Sequence, residues 1–284
     1  MKTKIISFFA AIVFFSTLSY AQVGQKIGSD VKDFFNVGGD VLTSPLHFDS
    51  KDWVNFSATT AVIGAGFFLD NTARSTALKN HNSTNDKIFN FDNNYITISY
   101  GVAAAGIYGY GLFAGNDRVR NVAVQLGEAV IYAGVFNLAA KSLFGRSRPF
   151  TERGHTDFHP FSISDDKVSF PSGHTTVAFA FSTVMAHAVD NIFWKAGWYG
   201  FAGMVAVSRI YHDKHWVSDV IFGGAIGYFV GRLVVNHPLN NPGEKQASAG
   251  IGHLVKKINK PFYSVGLNFR QSQPVYTFYF GYQF

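Results

Sequence analysis

The sequence predicts a mainly α-helical chain that ends in a short β-hairpin. Apolar residues dominate six long segments of helical length, which polar or Asn-rich stretches separate. Near the C-terminus the aromatic residues instead alternate with small or polar ones, which is typical of strands. The chain contains no cysteine, so disulfide bonds and thiol chemistry are excluded.

The first residues resemble a secretory signal. Met1–Lys4 is positively charged, Ile5–Leu18 is apolar, and Ser19–Ala21 places small residues at −3 and −1 of a cut before Gln22. We therefore predict that residues 1–21 are a cleaved signal peptide that directs export to a bacterial cell envelope. A retained anchor helix is the alternative, although the apolar stretch is short for a bilayer span.

Residues 22–52 form an N-terminal segment in which Ser29–Leu46 alternates Asp and Lys with Val, Phe and Leu. This pattern predicts an amphipathic helix that is broken at Pro45. Such a helix lies either on a membrane surface or on the helices that follow.

Residues 53–235 hold the six apolar segments, which the helical period assigns to helices. Their predicted bounds are Trp53–Leu69, Tyr95–Ala114, Val119–Leu143, Thr175–Val189, Ile192–Ser208 and Trp216–Val235. The second segment is uncharged over about the length that a membrane requires. In the sixth, Gly223, Gly227 and Gly231 recur every four residues, which predicts close backbone contact with a neighbouring helix.

A polar linker over residues 236–261 is predicted after the last helix, followed by a hairpin over residues 262–284. Its two strands are Phe262–Phe269 and Val275–Phe284. Two strands cannot close a membrane barrel, which needs about eight or more. The hairpin is therefore interpreted as a packing or docking element.

Three basic residues have the properties of phosphate ligands. A transferred phosphoryl group spreads negative charge over its oxygens, so catalysis depends on positioning and electrostatic stabilisation. Arg148 and Arg209 can each hold two oxygens through a planar fork, and Lys141 adds a mobile point charge. Arg146 is interpreted as flanking charge. The basic residues form no block or stripe despite the net charge of +6, so nucleic acid is not the expected partner.

The segment Pro171–His174 predicts an anion site at the start of a helix. Ser172 is a favoured N-cap residue before the apolar run from Thr175, and the free N–H groups of that first turn suit an anion. Gly173 lacks a Cβ, which allows the backbone to approach a phosphate. His174, once protonated, is a candidate general acid for the leaving oxygen.

The pair His215 and Asp219 suits nucleophilic catalysis. On a helix the two side chains would share one face, so the carboxylate could accept the Nδ1 proton and leave Nε2 to attack phosphorus. A phosphohistidine intermediate would follow. An ordinary hydrogen bond on a helix surface is the alternative, and Arg209 six residues upstream favours the catalytic interpretation.

These spacings resemble the type 2 phosphatidic acid phosphatase and vanadium haloperoxidase superfamily. The matching residues run from Lys141 through Arg148-Pro149, Pro171–His174 and Ser208-Arg209 to His215 and Asp219. The resemblance implies an all-α six-helix bundle with the motifs at one end and no divalent metal. It also implies His215 as nucleophile, His174 as acid and Asp219 as orienting group. The implied phosphate-binding set is Lys141, Arg148, Ser172, Gly173 and Arg209.

Two polar loops are predicted, over Asp70–Asn94 and Arg148–Lys167. The second leads into the Pro171 motif, so it could cover the phosphate and select the substrate. His155 and His159 within it have metal-ligand spacing, but no third ligand lies at useful spacing, so a solvated loop is favoured and no metal is predicted.

The leading hypothesis is a metal-independent phosphatase acting on a phosphomonoester or pyrophosphate of a lipid. The 30 Phe and 13 Tyr could line a groove for acyl or prenyl chains. Three alternatives stay open: a soluble periplasmic acid phosphatase of broad specificity, a vanadium-dependent haloperoxidase with vanadate on His215, and a non-catalytic membrane scaffold. No other cofactor is predicted, and the sequence does not decide between a spanning and a peripheral membrane protein.

Overall fold

The computed structural model of the chain describes the backbone of residues 2–92, 96–237, 261–270 and 273–282, and side chains within residues 23–92 and 96–237. Over these residues the chain forms eight α-helices, and two strands pair near its C-terminus. The helices are α1 (Lys2–Thr43), α2 (Ser50–Lys79), α3 (Ser83–Phe89), α4 (Ile96–Phe113), α5 (Asp117–Phe144), α6 (Gly173–Ala188), α7 (Ile192–Tyr211) and α8 (Val217–Asn236).

The six predicted apolar helices correspond to α2 and α4 to α8, which confirms the all-helical prediction. The loop predicted over Asp70–Asn94 is wrong over most of its length, because α2 continues to Lys79 and the short helix α3 follows. Two polar side chains of this extension have partners elsewhere in the fold: Asp70 pairs with Arg146 and Arg74 pairs with Asp213. Asn82 is the N-cap of α3, and its side chain accepts hydrogen bonds from the N–H groups of Thr84 and Asn85.

The N-terminal amphipathic helix packs on the other helices. Val37 and Val41 of α1 are buried in the same apolar core as Leu126 and Ala129 of α5. Helix α1 ends at Thr43 and a short 3₁₀ turn over Ser44–His47 follows, so the chain breaks at the predicted proline. Of the two predicted positions for this segment, contact with the helices is the one observed.

Helix α6 lies against α5, α7 and α8, and its small side chains allow close packing. Ala178 and Ala180 are fully buried there. On α8, a Cβ added to Gly223 would lie 2.5 Å from the carbonyl oxygen of Ser172, and one added to Gly227 would lie 2.2 Å from that of Thr176. The close contact predicted from the glycine repeat is therefore present, and its partner is α6.

Among the residues that the structure describes, three helices are long and apolar enough to cross a membrane: α4, α5 and α8. Large apolar side chains are exposed on all three, including Val102 of α4, Leu138 of α5 and Phe229 of α8. Such exposed apolar faces are typical of helices in contact with lipid.

Residues 238–284 form a separate compact unit. Its strands β1 (Pro261–Arg270) and β2 (Gln273–Tyr282) pair antiparallel, with Val265 opposite Phe278, as the alternation predicts. Nearly all of the predicted linker lies outside the described residues. The boundaries of the signal peptide and of the domains stay predictions.

Candidate active site

Four helix ends meet at the candidate site: the C-terminal ends of α5 and α7 and the N-terminal ends of α6 and α8. The N–H of Ser172 donates to the carbonyl oxygen of Asp219 at 3.0 Å, which joins the starts of α6 and α8. A Cβ on Gly173 would lie 3.8 Å from Cε of Lys141, so the end of α5 faces the same point. Nη1 of Arg148 lies 3.5 Å from the carbonyl oxygen of Lys214, beyond α7. The three sequence motifs therefore lie together.

Gly145 makes the turn that brings the residues after α5 into the site. Its φ of 60° and ψ of 42° are left-handed, and the backbone N–H bonds back to the carbonyl oxygen of Lys141. A Cβ at this position would lie 1.7 Å from the carbonyl oxygen of His159, so only glycine fits. The tight turn directs Arg146 and Arg148 back towards α8 and the neighbouring loops.

His215 and Asp219 are neighbours, but the local geometry differs from the prediction. His215 precedes Trp216, the N-cap of α8, so the two side chains do not share a helix face as expected. Asp219 lies in the first turn, where its Oδ2 accepts a hydrogen bond from the N–H of Trp216 at 2.8 Å. Nδ1 of His215 is 3.5 Å from that same oxygen. The carboxylate is oriented by the helix start, and the imidazole approaches it from the preceding loop.

Both members of this pair are buried, since His215 is 3% exposed and Asp219 is 0% exposed. Burial is the largest of the effects that together lower the pKa of His215 to about 3. The charges of Lys141 and Arg148 act in the same direction, and the hydrogen bond and charge of Asp219 oppose them. The imidazole is therefore neutral near pH 7. Because Nδ1 faces the carboxylate, Nε2 is the nitrogen left with a lone pair for attack.

Each predicted cation is anchored by oxygens of the protein. Nζ of Lys141 donates to the carbonyl oxygen of Val168. Nε and Nη2 of Arg148 donate to the backbone and side chain of Asp165, at 2.7 and 2.9 Å. Asp165 belongs to the loop that was predicted to cover the phosphate, and this contact brings that loop onto a predicted phosphate ligand.

Within the described part of the chain, Arg209 is held by Asp92. Its Nη1 donates to the backbone and carboxylate oxygens of Asp92, at 3.0 and 3.2 Å. Its Nε is buried and has no hydrogen-bond partner among the described residues. A buried donor without a partner is costly, so this atom is suited to an anion bound in the site.

Ser172 is the N-cap residue of α6, as predicted, although its side chain makes no cap hydrogen bond. Its Oγ instead accepts a hydrogen bond from Thr175 at 3.0 Å, and Ser172 is fully buried. A Cβ on Gly173 would face Asn137 and Lys141 at ordinary contact distance. Half-buried His174 follows in the first helical turn, where backbone N–H groups lack helical acceptors.

Arg146 is the main residue of the candidate site that the sequence interpretation missed. Interpreted as flanking charge, it is instead 0% exposed and lies between Asp70 and Asp219, at 2.6 Å from each carboxylate. Ser169 was also missed, and its Oγ donates to Oδ2 of Asp219 at 2.5 Å. The available signal was a second arginine two residues before Arg148, because its two carboxylate partners are 73 and 76 positions away.

The two loop histidines face different carboxylates. Nδ1 of His155 is 3.7 Å from Asp70, whereas Nε2 of His159 is 2.9 Å from Asp157. Within residues 23–92 and 96–237, no group of three or more His, Cys, Asp or Glu side chains has the arrangement of a metal site.

Comparison with known proteins finds a matching family and several relatives. The family model "PAP2 superfamily" matches residues 122–242, a range that includes all the motif residues. A lipid A 1-phosphatase of Porphyromonas gingivalis is 34% identical over 114 residues, which cover 39% of this chain and 22% of that protein. A lipid A 1-phosphatase of Rhizobium johnstonii is 33% identical over 34% of this chain and 40% of its own length. The chain thus spans less than half of these two relatives.

Another relative is matched over most of its length. The undecaprenyl-diphosphatase BcrC of Bacillus subtilis is 30% identical over 156 residues, which cover 55% of this chain and 76% of that protein. Among solved structures, Aquifex aeolicus LpxE aligns with a TM-score of 0.45 and 21% identity over 60% of this chain and 96% of its own. The family match and the extended similarity to BcrC confirm the resemblance seen in the motifs, and this chain belongs to the PAP2 superfamily.

Proposed function

We propose that this chain is a phosphatase that hydrolyses a phosphomonoester or pyrophosphate of a lipid through a phosphohistidine on His215. The observation that carries the proposal is the convergence of a neutral, buried His215 beside Asp219 with Lys141, Arg148 and Arg209 at the start of α6. A nucleophile and several fixed positive groups around one point are what phosphoryl transfer requires.

In the first step, the Nε2 lone pair of His215 forms a bond to phosphorus while the bond to the leaving oxygen breaks. The leaving oxygen takes a proton from the imidazolium of His174. Positive charge develops on the ring of His215, and Asp219 stabilises it from the Nδ1 side, where Oδ2 is 3.5 Å away. The product of this step is the free alcohol, or the shorter phosphate, and a phosphohistidine.

In the second step, a water molecule attacks the phosphohistidine. Neutral His174 takes one proton from the water, the N–P bond breaks, and its electron pair returns to Nε2 of His215. Inorganic phosphate leaves, and both histidines return to their starting protonation states.

Charge on the transferring phosphoryl group is neutralised in this proposal by protein groups, with no metal ion taking part. Arg148 and Arg209 offer guanidinium charge, and Lys141 adds a third cation. The buried Nε of Arg209, without a partner among the described residues, is one donor available to an oxygen of the phosphate. The first backbone N–H groups of α6 provide further hydrogen-bond donors for the phosphate.

A lipid substrate is supported by the apolar helices around the site. Helices α5 and α8, which carry Lys141 and Asp219 at their site ends, are both apolar and long enough to cross a membrane. The relatives named lipid A 1-phosphatase and undecaprenyl-diphosphatase are phosphatases of lipid substrates by name, which favours hydrolysis over halide oxidation. We infer that the substrate's phosphate enters at the helix ends while its chains remain in the bilayer.

We also propose that the enzyme is exported and acts in the bacterial cell envelope. The charged and apolar pattern of residues 1–21 supports this location. Carbonate washing of envelopes, combined with protease access from the periplasmic side, tests it. Extraction into the soluble fraction would exclude a spanning protein, and protection of the motif loops would exclude an outward site.

The activity is tested with detergent-purified protein and two phosphate donors, dioctanoyl phosphatidate and para-nitrophenyl phosphate. We expect faster phosphate release from the lipid, and complete loss of turnover in His215→Ala. The exposed His47, which bonds only to a backbone oxygen of its own segment, provides the matched control His47→Ala. Equal turnover of both donors would favour the soluble acid phosphatase, and unchanged hydrolysis by His215→Ala would reject the proposal.

The intermediate is tested by rapid quenching with radiolabelled lipid phosphate. Label bound to the protein should survive base, be lost in acid, and be absent from His215→Ala. Halide-dependent peroxidation after vanadate loading, without phosphate release, would instead indicate a haloperoxidase.

A further inference from the structure

Arg146 is enclosed by groups that fix its direction. The side chain is 0% exposed. Its Nη1 donates to Oδ1 of Asp219 and its Nη2 donates to Oδ2 of Asp70, both at 2.6 Å. Its Nε donates to the carbonyl oxygen of His155 at 2.8 Å. The guanidinium centre also lies 4.6 Å from the ring centroid of Phe67. All three nitrogens donate to protein oxygens and the side chain is sealed from solvent, so Arg146 is out of reach of a substrate phosphate.

Asp219 is the group that this arrangement controls. Oδ1 accepts from Arg146, whereas Oδ2 accepts from Ser169 and from the N–H of Trp216 and faces Nδ1 of His215. With one oxygen held on each side, the carboxylate plane cannot rotate without breaking several buried hydrogen bonds. The oxygen that faces the imidazole is thus kept in place.

Asp70 holds the other arm of Arg146 from helix α2. Its Oδ1 accepts from the backbone N–H of Ser218 at 2.9 Å, and both of its oxygens accept from the Ser218 hydroxyl. Ser218 directly precedes Asp219, so α2 and the first turn of α8 are joined through the same carboxylate. This carboxylate is fully buried as well.

We infer that Arg146, held by Asp70, is a positioning residue for the proposed phosphoryl transfer and fixes the rotamer in which Asp219 faces His215. The inference rests on the proposed function. Arg146 acts through the carboxylate and does not touch the phosphate, which separates its role from those of Arg148 and Arg209.

The test is a double-mutant cycle that uses Arg146→Lys, Asp219→Asn and the double variant, with dioctanoyl phosphatidate in detergent micelles. Lysine keeps the charge but cannot span both carboxylates with a fork. We expect Arg146→Lys to lower kcat by roughly 10- to 100-fold, as a displaced catalytic group does, with KM within about threefold of wild type. In the Asp219→Asn background the same change should lower kcat by less than about threefold.

The variant Arg146→Gln removes the charge and adds a measurement, the pH dependence of kcat, that a purely structural role would leave unchanged. Arg146→Gln leaves Asp70 and Asp219 without their shared cation, so more negative charge faces His215, while Lys141 and Arg148 are unchanged on its other side. The pKa of the imidazole then rises, and the acid limb of the kcat profile should move to higher pH. In Arg146→Lys the limb should stay where it is in wild type.

Folding is monitored by the thermal midpoint and by size-exclusion chromatography in detergent. Asp70→Asn, which keeps the shape of the side chain, replaces Arg146→Lys in the cycle if the lysine variant does not fold. Arg118→Lys is the matched control, because Arg118 lies at the far end of α5 and its Nη2 donates to a backbone oxygen. Its kcat should equal that of wild type.

Additive losses in the cycle would overturn the inference, as would a loss expressed only in KM. If His215→Ala and Asp219→Asn are inactive while the cycle is additive, the inference alone fails. If Asp219→Asn keeps full activity, both the inference and the proposed mechanism fail.

Discussion

Substitution of Gly227 by alanine tests whether the packing of α8 on α6 sets the geometry of the candidate site. The added Cβ would lie 2.2 Å from the carbonyl oxygen of Thr176, 2.8 Å from the N of Ala180 and 2.9 Å from the Cβ of Phe179. Two of these three atoms belong to the backbone, so no side-chain rotation relieves the clash.

The size of the effect follows from these distances. Ordinary van der Waals contacts of a Cβ begin near 3.4 Å, so α6 and α8 must separate locally by about 1 Å. Overpacking of this kind costs about 1–3 kcal/mol. The same displacement moves the start of α8, which carries Asp219, relative to the start of α6, which carries Ser172 and His174. A misplacement of about 1 Å can lower turnover by about 100-fold.

The assay compares Gly227→Ala with Gly134→Ala of α5, where an added Cβ meets no atom within 4 Å. Both changes raise helix propensity by about 1 kcal/mol, so only the first introduces a clash. We expect a lower thermal midpoint and a lower kcat for Gly227→Ala, and a slightly raised midpoint with unchanged kcat for Gly134→Ala. Equal kcat values in the two variants would refute the link between this helix contact and the site.

Further predictions concern the charged groups. Because burial lowers the pKa of His215 to about 3, the nucleophile is neutral above that pH, and kcat should fall on the acid side only near pH 3. On the alkaline side, kcat should fall where His174 loses its proton. A pH profile with no alkaline limb would contradict the acid role of His174. The unfolded state binds the His215 proton near pH 6.5 and the folded state does not, so the free energy of unfolding should decrease as pH falls from about 6.5 to 3, which pH-dependent melts can check. Asp219→Asn should fold but lose most of its turnover through the wrong imidazole tautomer, and a rate within about twofold of wild type would reject that role. Arg209→Lys loses the fork that serves Asp92 and the anion together, so phosphate release should fall strongly; full activity would show that charge alone suffices.

Much of the fold could be predicted from local pattern. The apolar segments matched α2 and α4 to α8, since helical periodicity and length are properties of neighbouring residues. The pattern failed at Asp70, where a polar run suggested a loop. Its carboxylate is buried against Arg146, and that partner compensates for the polarity within the helix.

Part of the candidate site was also predictable from local pattern. Lys141, Arg148, His174, Arg209 and His215 stand in short motifs whose spacing points to phosphate chemistry. The helical relation assumed for His215 and Asp219 was wrong, because α8 begins only after Trp216. Which residues hold each cation could not be predicted, since Asp92 and Arg209 are 117 positions apart.

By itself the sequence determined the six apolar helices, the glycine face of α8 and the set of candidate groups for phosphate chemistry, because each depends on residue type and short spacing. Only the tertiary structure decided that Arg146 joins Asp70 to Asp219, that Asp165 contacts Arg148, and that the imidazole of His215 is buried and neutral. These features arise from contacts between distant segments and from the exclusion of water. Neither cause can be inferred from the residues that are neighbours in the sequence.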